Sequence, residues 1–126
     1  MMELPHQHHS ENDIRHIAES LPNAETANAV ATAMKQLGDP TRLRIFWILC
    51  HTEACVVNLA AMMQMSSPAV AHHLRILKDA GLLRSRRSGK EVYYRASDAP
   101  LAGTLHRVIE SLASITCPQT GESVGE

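Results

Sequence analysis

The chain has 126 residues, of which 44% are hydrophobic and 20% charged, and its formal net charge at pH 7 is −1. This length suits one domain, the composition excludes a chain that is disordered throughout, and no apolar run approaches the ~20 residues of a membrane-spanning helix. We therefore predict one folded, cytoplasmic domain that makes no membrane contact.

Charge is distributed unevenly along the chain. Residues 67–95 carry seven basic side chains against two acidic ones, whereas the segments before and after this stretch are both acidic. A concentrated basic stretch on an otherwise acidic molecule is what attraction to nucleic-acid phosphates requires. A solvated charged face would have the same composition, so charge alone leaves both interpretations open.

The first part of the chain divides into an arm and a helix. Residues 1–23 are predicted to form a His-rich N-terminal arm, in which residues 11–20 could form a short helix. After the arm, apolar side chains recur at helical spacing up to Gly38, a common helix terminator. This spacing predicts a first core helix with a buried stripe of Ala27, Val30, Ala31, Met34 and Leu37.

Three further helices are predicted from their start signals. Asp39 followed by Pro40 is a cap with a proline in the first turn, and it opens a helix that runs to about Cys50. A short helix follows at residues 56–63. A serine cap before Pro68 then opens a helix that ends at Asp79, before Gly81.

The helix that ends at Asp79 has two different faces. At 100° per residue, the apolar side chains Val70, Leu74 and Leu77 fall on one side. The opposite side carries Pro68, His72 and Arg75. A short helix, a tight polar turn and a helix with a polar outer face are typical of a helix-turn-helix.

The pattern changes after Gly81 to two β-prone basic runs that flank Ser88 and Gly89, which predicts a hairpin. A helix-turn-helix followed by a basic hairpin is a winged helix. The predicted fold is therefore mainly α with a β-hairpin wing, in a domain that spans residues 24–116.

The last helix, which begins near Pro100, has an apolar stripe four turns long. One terminal helix cannot bury so wide a stripe against so small a body, which favours pairing with a second copy over burial within the monomer. We therefore predict a homodimer. Residues 117–126 are predicted to form a flexible tail.

Four segments, at residues 38–45, 53–60, 66–78 and 89–94, together resemble the ArsR/SmtB family of bacterial repressors. The resemblance covers about residues 24–115 in the family's order and spacing. It implies a homodimeric winged helix that binds double-stranded operator DNA when empty and releases it when an inducer, usually a metal ion, is bound. An enzyme is not expected, because no nucleophile with an oriented base is evident.

The resemblance also implies which residues contact DNA. Carried over by position, the recognition-helix contacts are Ser67, Pro68, Ala71, His72 and His73. Among these, the two histidines are the best readers of base edges, since Pro68 and Ala71 stand where serine is commoner in the family. The residues better suited to phosphates are Arg75, Arg86, Arg87 and Lys90.

For the inducer, the resemblance implies a metal site at the start of the third core helix. Relatives carry a cysteine at the position of Cys55 and complete the site with side chains from the other subunit's N-terminal arm. That arm offers His6, His8 and His9 here, and Cys50 and His51 are near in sequence. Thiolate with imidazole suits Zn²⁺ or Cd²⁺.

Two other family sites can be compared with this chain. The site on the last helix lacks its histidines, since Pro100 and Ser111 stand in their places, and His106 on the same helix is interpreted as a surface or interface side chain. An alternative is a repressor that senses thiol oxidation or persulfides through Cys50 and Cys117. Cys50 would otherwise be a packed core thiol.

Overall fold

The structure is a computed structural model that describes residues 3–6 and 10–116. Within these residues the chain forms six α-helices and three β-strands. In chain order they are α1 (Glu11–Glu19), α2 (Ala24–Gln36), α3 (Pro40–His51), β1 (Ala54–Cys55), α4 (Val56–Met63), α5 (Ser67–Asp79), β2 (Leu83–Ser88), β3 (Glu91–Ala96) and α6 (Pro100–Thr116). The predicted fold class, a mainly helical winged helix-turn-helix, is confirmed.

Side-chain caps begin the helices where the sequence predicts them. The Asp39 carboxylate accepts a hydrogen bond from the backbone N–H of Arg42 at the start of α3, and the Ser66 hydroxyl accepts one from Ala69 at the start of α5. Both helices carry a proline in their first turn. A cap and a proline together satisfy or remove backbone donors that have no partner within the helix, which fixes where each helix begins.

The helices α4 and α5 form the helix-turn-helix. Helix α4 ends at Met63, and its C-cap residue Gln64 adopts a left-handed conformation with φ 56° and ψ 48°. The chain then passes through Met65 to the Ser66 cap of α5. The left-handed residue reverses the chain direction within a short connection, so that α5 can pack across α4.

The wing consists of β2 and β3, residues 83–96, joined by a two-residue turn at Gly89 and Lys90. Gly89 adopts φ +65°, a conformation that glycine accepts without steric cost. The sheet has a third strand that the sequence analysis missed, because β1 pairs antiparallel with β3 and places Cys55 opposite Tyr93. The wing is therefore joined directly to the residues that precede α4.

The core lies between α3, α4, α5 and the base of the wing. Its largest fully buried side chains are Ile45, Phe46, Leu49, Leu59, Val70, Leu74, Leu77 and Leu82. As predicted, α5 buries its apolar face here. Across the described part of the chain, no helix is both long and apolar enough to cross a lipid bilayer.

Of the stripe that α2 was expected to bury, only Leu37, at the C-terminal cap, lies in the core of a single chain. Of its residues only Ala33 is buried, together with Leu37 at the C-terminal cap, whereas Val30 and Met34 are exposed. Helix α6 likewise buries only part of its apolar surface. Ala102 and Leu105 are buried, while other apolar side chains face outward. Both helices therefore present apolar surface that the rest of the described chain does not cover.

Candidate nucleic-acid interface and inducer sites

The outer face of α5 carries most of the side chains predicted to read DNA. Ser67, Pro68, His72 and Arg75 are exposed, and Ala71 is half-buried. Of these, Pro68, His72 and Arg75 stand opposite Val70, Leu74 and Leu77, which anchor the helix in the core. A helix held on one side by apolar packing and polar on the other can be inserted into a major groove without disturbing the domain.

His73 is placed differently from His72. It is half-buried, and its Nδ1 atom accepts a hydrogen bond from Arg42 Nη1 at 3.2 Å. Partial burial is the main cause that lowers the pKa of His73, and the Arg42 and His72 charges add to the effect while Asp39 opposes it. The side chain therefore favours the neutral form and is directed toward α3, which makes it a poorer candidate for a base contact than His72.

Acidic or hydroxyl partners hold four of the seven basic side chains of residues 67–95. Arg86 donates two hydrogen bonds to Glu53, each 2.7 Å long, and its guanidinium lies 5.0 Å from the centre of the Tyr93 ring. Arg84 and Arg95 both contact the carboxylate of Asp98. The remaining pair is Lys78 Nζ and Ser85 Oγ, 2.8 Å apart.

Three basic side chains are exposed and have no hydrogen-bond or ion-pair partner among the described residues: Arg75 on α5, Arg87 on β2 and Lys90 in the wing turn. A cation without a protein partner loses no interaction when it binds a phosphate. Among the predicted phosphate contacts, these three are therefore the best placed, whereas Arg86 would first have to share or leave Glu53.

Cys55 lies at the junction of the wing and the helix-turn-helix. It is 8% exposed, it pairs in β1 with Tyr93 of β3, and it occupies the N-cap position of α4 without a side-chain capping hydrogen bond. Of its predicted partners from the arm, His6 is exposed, and His8 and His9 lie outside the described residues. A ligand that moved Cys55 would act on β1 and on the first turn of α4 together.

Cys50, the other cysteine of this region, is half-buried near the end of α3. Burial, with a smaller contribution from the charge of Glu110, raises the pKa of its thiol to about 11. The thiol is thus mostly protonated at neutral pH and is a weak nucleophile in this state. Cys117, its predicted redox partner, lies outside the described residues.

His51 contacts α6 rather than lying isolated beside Cys50. Its Nε2 atom is 3.1 Å from Nε2 of His106 and 3.3 Å from Oε2 of Glu110. His106 is thus half-buried, and it contacts both α3 and Glu110 of its own helix. The helical spacing of His106 and Glu110, four residues apart, was visible in the sequence, but their proximity to His51 depends on how α3 packs on α6.

The chain is similar in sequence to known proteins. A family model described as bacterial regulatory protein, arsR family, matches residues 39–85. A transcriptional repressor SmtB homolog from Synechocystis sp. is 35% identical over 99 residues, which are 79% of this chain and 75% of that protein. A cadmium resistance transcriptional regulatory protein CadC homolog from Staphylococcus aureus is 40% identical over 70 residues, 55% of this chain and 58% of that protein.

Solved structures agree with the sequence comparison. The solution structure of a homodimeric winged helix-turn-helix DNA-binding domain from Mycobacterium bovis superimposes with a TM-score of 0.66 at 26% sequence identity. The match covers 82% of this chain and 91% of that domain. The segment matched by the family model runs from the cap of α3 into β2, so it contains the whole helix-turn-helix.

Proposed function

Because this chain belongs to the ArsR family and is a transcriptional repressor of the ArsR/SmtB type, we propose that it binds operator DNA as a homodimer and that a thiophilic divalent metal ion of the Zn²⁺ or Cd²⁺ class releases it. The observation that carries the DNA-binding part is a set of exposed cations on α5 and the wing that have no partner among the described residues: Arg75, Arg87 and Lys90. In this proposal α5 enters the major groove, His72 contacts base edges, and the three cations bind phosphates.

The dimer is supported by the uncovered apolar surface of the protomer. The outward side chains of α6, Val108, Leu112 and Ile115, are 42%, 56% and 69% exposed, and Val30 and Met34 extend the apolar surface onto α2. Several large apolar side chains exposed on two helices are typical of a subunit interface. The mycobacterial domain of the same fold is described as homodimeric.

Metal control through Cys55 is supported by the position of this residue. Metal binding to the thiolate, completed by His6, His8 or His9 from the partner's arm, would act at the residue where β1 meets α4. The strand β1 is paired with the wing and α4 packs on the recognition helix, so a displacement at Cys55 is transmitted to both parts of the DNA-binding surface. One relative is named for cadmium resistance.

The test is an operator-binding titration followed by fluorescence anisotropy, with labelled DNA taken from upstream of the gene itself. Zn²⁺, Cd²⁺, an oxidant and polysulfide are added separately to the protein–DNA complex. Metal-specific release that is lost in Cys55→Ser and kept in Cys50→Ser supports the proposal. Release only by the oxidant or polysulfide, lost in Cys50→Ser, would favour the thiol-sensing alternative with Cys117. A protein that does not bind the DNA at low ionic strength contradicts the whole assignment.

A further inference from the structure

The end of α3 and the middle of α6 bring together three side chains that neither the DNA-binding surface nor the Cys55 site uses. Nε2 of His51 and Nε2 of His106 are 3.1 Å apart, and Oε2 of Glu110 lies 3.3 Å from each of them. Among the residues that the structure describes, these three alone form such a group of potential metal ligands within 4.8 Å of one another. The two imidazole nitrogens and the carboxylate oxygen thus form a nearly equilateral triangle.

The size of this triangle fits a metal ion. With metal–ligand bonds of about 2.0 to 2.1 Å, tetrahedral coordination of Zn²⁺ separates neighbouring ligand atoms by roughly 3.3 Å. The observed sides of 3.1, 3.3 and 3.3 Å therefore describe one face of such a tetrahedron. Two imidazoles and one carboxylate are also a common ligand set for zinc.

Hydrogen bonds among the three side chains do not use the bonding capacity of all three ligand atoms well. An imidazole nitrogen carries at most one hydrogen, which points outward in the plane of the ring. Nε2 of His106 therefore cannot direct one N–H straight at both His51 and Glu110, although both atoms are within 3.3 Å. A cation bound at the centre of the triangle would use the lone pairs of all three atoms.

The ligands are held in place by their neighbours. Trp47 Nε1 donates a hydrogen bond of 2.9 Å to Oε2 of Glu110, and the Trp47 ring lies 4.3 Å from the ring of His51. Trp47 and His51 are four residues apart on α3, as His106 and Glu110 are on α6, so each helix presents two adjacent groups on one face. Outer contacts of this kind orient metal ligands and raise affinity.

The triangle is open to solvent on one side. The side chains of His51, His106 and Glu110 are 44%, 26% and 47% exposed. Both histidines also line a cavity of about 370 Å³ between the end of α3 and the start of α6. An ion can therefore enter, and a water molecule from the cavity can supply the fourth ligand.

We propose that His51, His106 and Glu110 form a binding site for a divalent cation of the Zn²⁺ class, separate from the Cys55 site, and that the bound ion clamps the end of α3 to α6. The bound ion would connect two helices, α3 and α6, that have different roles. Helix α6 carries the apolar side chains of the proposed dimer interface, and α3 leads through Glu53 into β1 and the wing. Occupation of the site would therefore fix the position of the DNA-binding unit relative to the partner subunit.

The probe for this site is Co²⁺, bound to the full-length protein in a Cys55→Ser background so that the Cys55 thiolate cannot contribute. Tetrahedral Co²⁺ absorbs visible light strongly, and a thiolate ligand adds a charge-transfer band in the near ultraviolet. We expect one Co²⁺ per protomer, visible absorption without the thiolate band, and displacement of Co²⁺ by Zn²⁺, which binds such ligands more tightly.

Two variants in the same background test the ligand set. We expect His106→Gln and His51→Asn each to weaken Co²⁺ binding at least about tenfold, whereas His16→Gln, which removes an exposed histidine of α1, leaves it unchanged. Far-ultraviolet circular dichroism shows whether each variant is folded. Unchanged binding in the folded His106→Gln protein, a persistent thiolate band, or no Co²⁺ binding in Cys55→Ser would overturn the site. Operator release measured separately tests the Cys55 site, so failure of one site does not imply failure of the other.

Discussion

Glu53, which directly precedes β1, holds Arg86 of the wing by two hydrogen bonds of 2.7 Å from Nε and Nη2 of the guanidinium. The Arg86 hydrogen bond lowers the pKa of Glu53, so the carboxylate is ionised at neutral pH. The pair thus neutralises one wing charge and ties β2 to the chain segment that leads into α4. While Glu53 holds Arg86, this guanidinium is not counted among the wing cations that are available to DNA phosphates.

Replacing Glu53 with Gln should therefore change how operator binding depends on salt. The amide cannot neutralise Arg86, so the guanidinium becomes available for a phosphate, and the slope of log affinity against log salt should become steeper by about 0.9. Anisotropy titrations at a series of salt concentrations measure this slope. Glu19→Gln is the matched control, since it changes net charge equally on α1. An equal slope in Glu53→Gln and the wild type would mean that Arg86 does not reach the DNA.

Substitution of Arg87 or Lys90 should have the opposite effect on the salt dependence of operator binding. Since neither has a partner among the described residues, Arg87→Gln or Lys90→Gln should each flatten the salt slope by about 0.9 and weaken binding to all sequences similarly. The same titrations measure this effect. Lys35→Gln removes an exposed cation of α2 and should leave the slope unchanged. A loss of affinity confined to the operator sequence would instead indicate base contacts.

The lowered pKa of His73 should make the stability of the folded protein depend on pH. Because its pKa in the folded protein is lowered from 6.5, mainly by burial, the unfolded chain takes up the proton first. The free energy of unfolding should therefore fall as pH decreases below about 6.5, until the folded state is protonated as well. Denaturant midpoints between pH 7.5 and roughly pH 5 should show a smaller decrease in His73→Gln than in the wild type. His16→Gln, at an exposed histidine of α1, should retain the wild-type decrease, and an equal effect of both variants would contradict the assignment.

Trp47 allows two tests of the cation site between α3 and α6, one by substitution and one by its fluorescence. It is the single tryptophan of the chain, and its N–H bonds the carboxylate oxygen that would bind the ion. Co²⁺ binding in the Cys55→Ser protein should quench its fluorescence. Trp47→Phe in the same background should weaken Co²⁺ binding, measured by visible absorption, roughly 10- to 100-fold. Unchanged affinity would mean that the Trp47 contact does not position Glu110.

A charged substitution at Leu112 tests the proposed dimer interface. It is 56% exposed on the outward face of α6. Leu112→Glu would bury an unpaired charge in the proposed interface, so the dimer dissociation constant should rise at least about tenfold. Sedimentation velocity measures the monomer fraction. Ser111→Glu places the same charge on the neighbouring exposed residue, and it should dimerise as the wild type does. Equal dimerisation of all three proteins would place the interface elsewhere.

Local signals predicted the helix-turn-helix well. The caps Asp39 and Ser66 and the proline after each act within one helical turn, so their effect is readable from adjacent residues. The two-residue strand β1 was missed because its pairing partner, β3, lies about 40 residues further along the chain and a dipeptide has no periodicity. Strands so short are defined by their neighbours.

The candidate sites were harder to predict than the fold. The charge count could not show that Arg84, Arg86 and Arg95 have carboxylate partners, since both partners, Glu53 and Asp98, lie outside the wing strands in separate loops. Likewise, His51 and His106 are 55 residues apart, and only the packing of α3 against α6 brings them together. Side-chain proximity between distant segments depends on tertiary geometry that apolar spacing does not encode.

The left-handed residue between α4 and α5 limits how this region can vary. Gln64 has φ 56°, a conformation that costs most side chains energy and β-branched ones most of all. Valine, isoleucine or threonine there would push the connection toward another backbone shape and tilt the groove-facing helix away from its present axis. Glycine or asparagine would keep the angle. The residue at this solvent-exposed position therefore influences the direction of α5 through the backbone, even though its side chain need not touch a base.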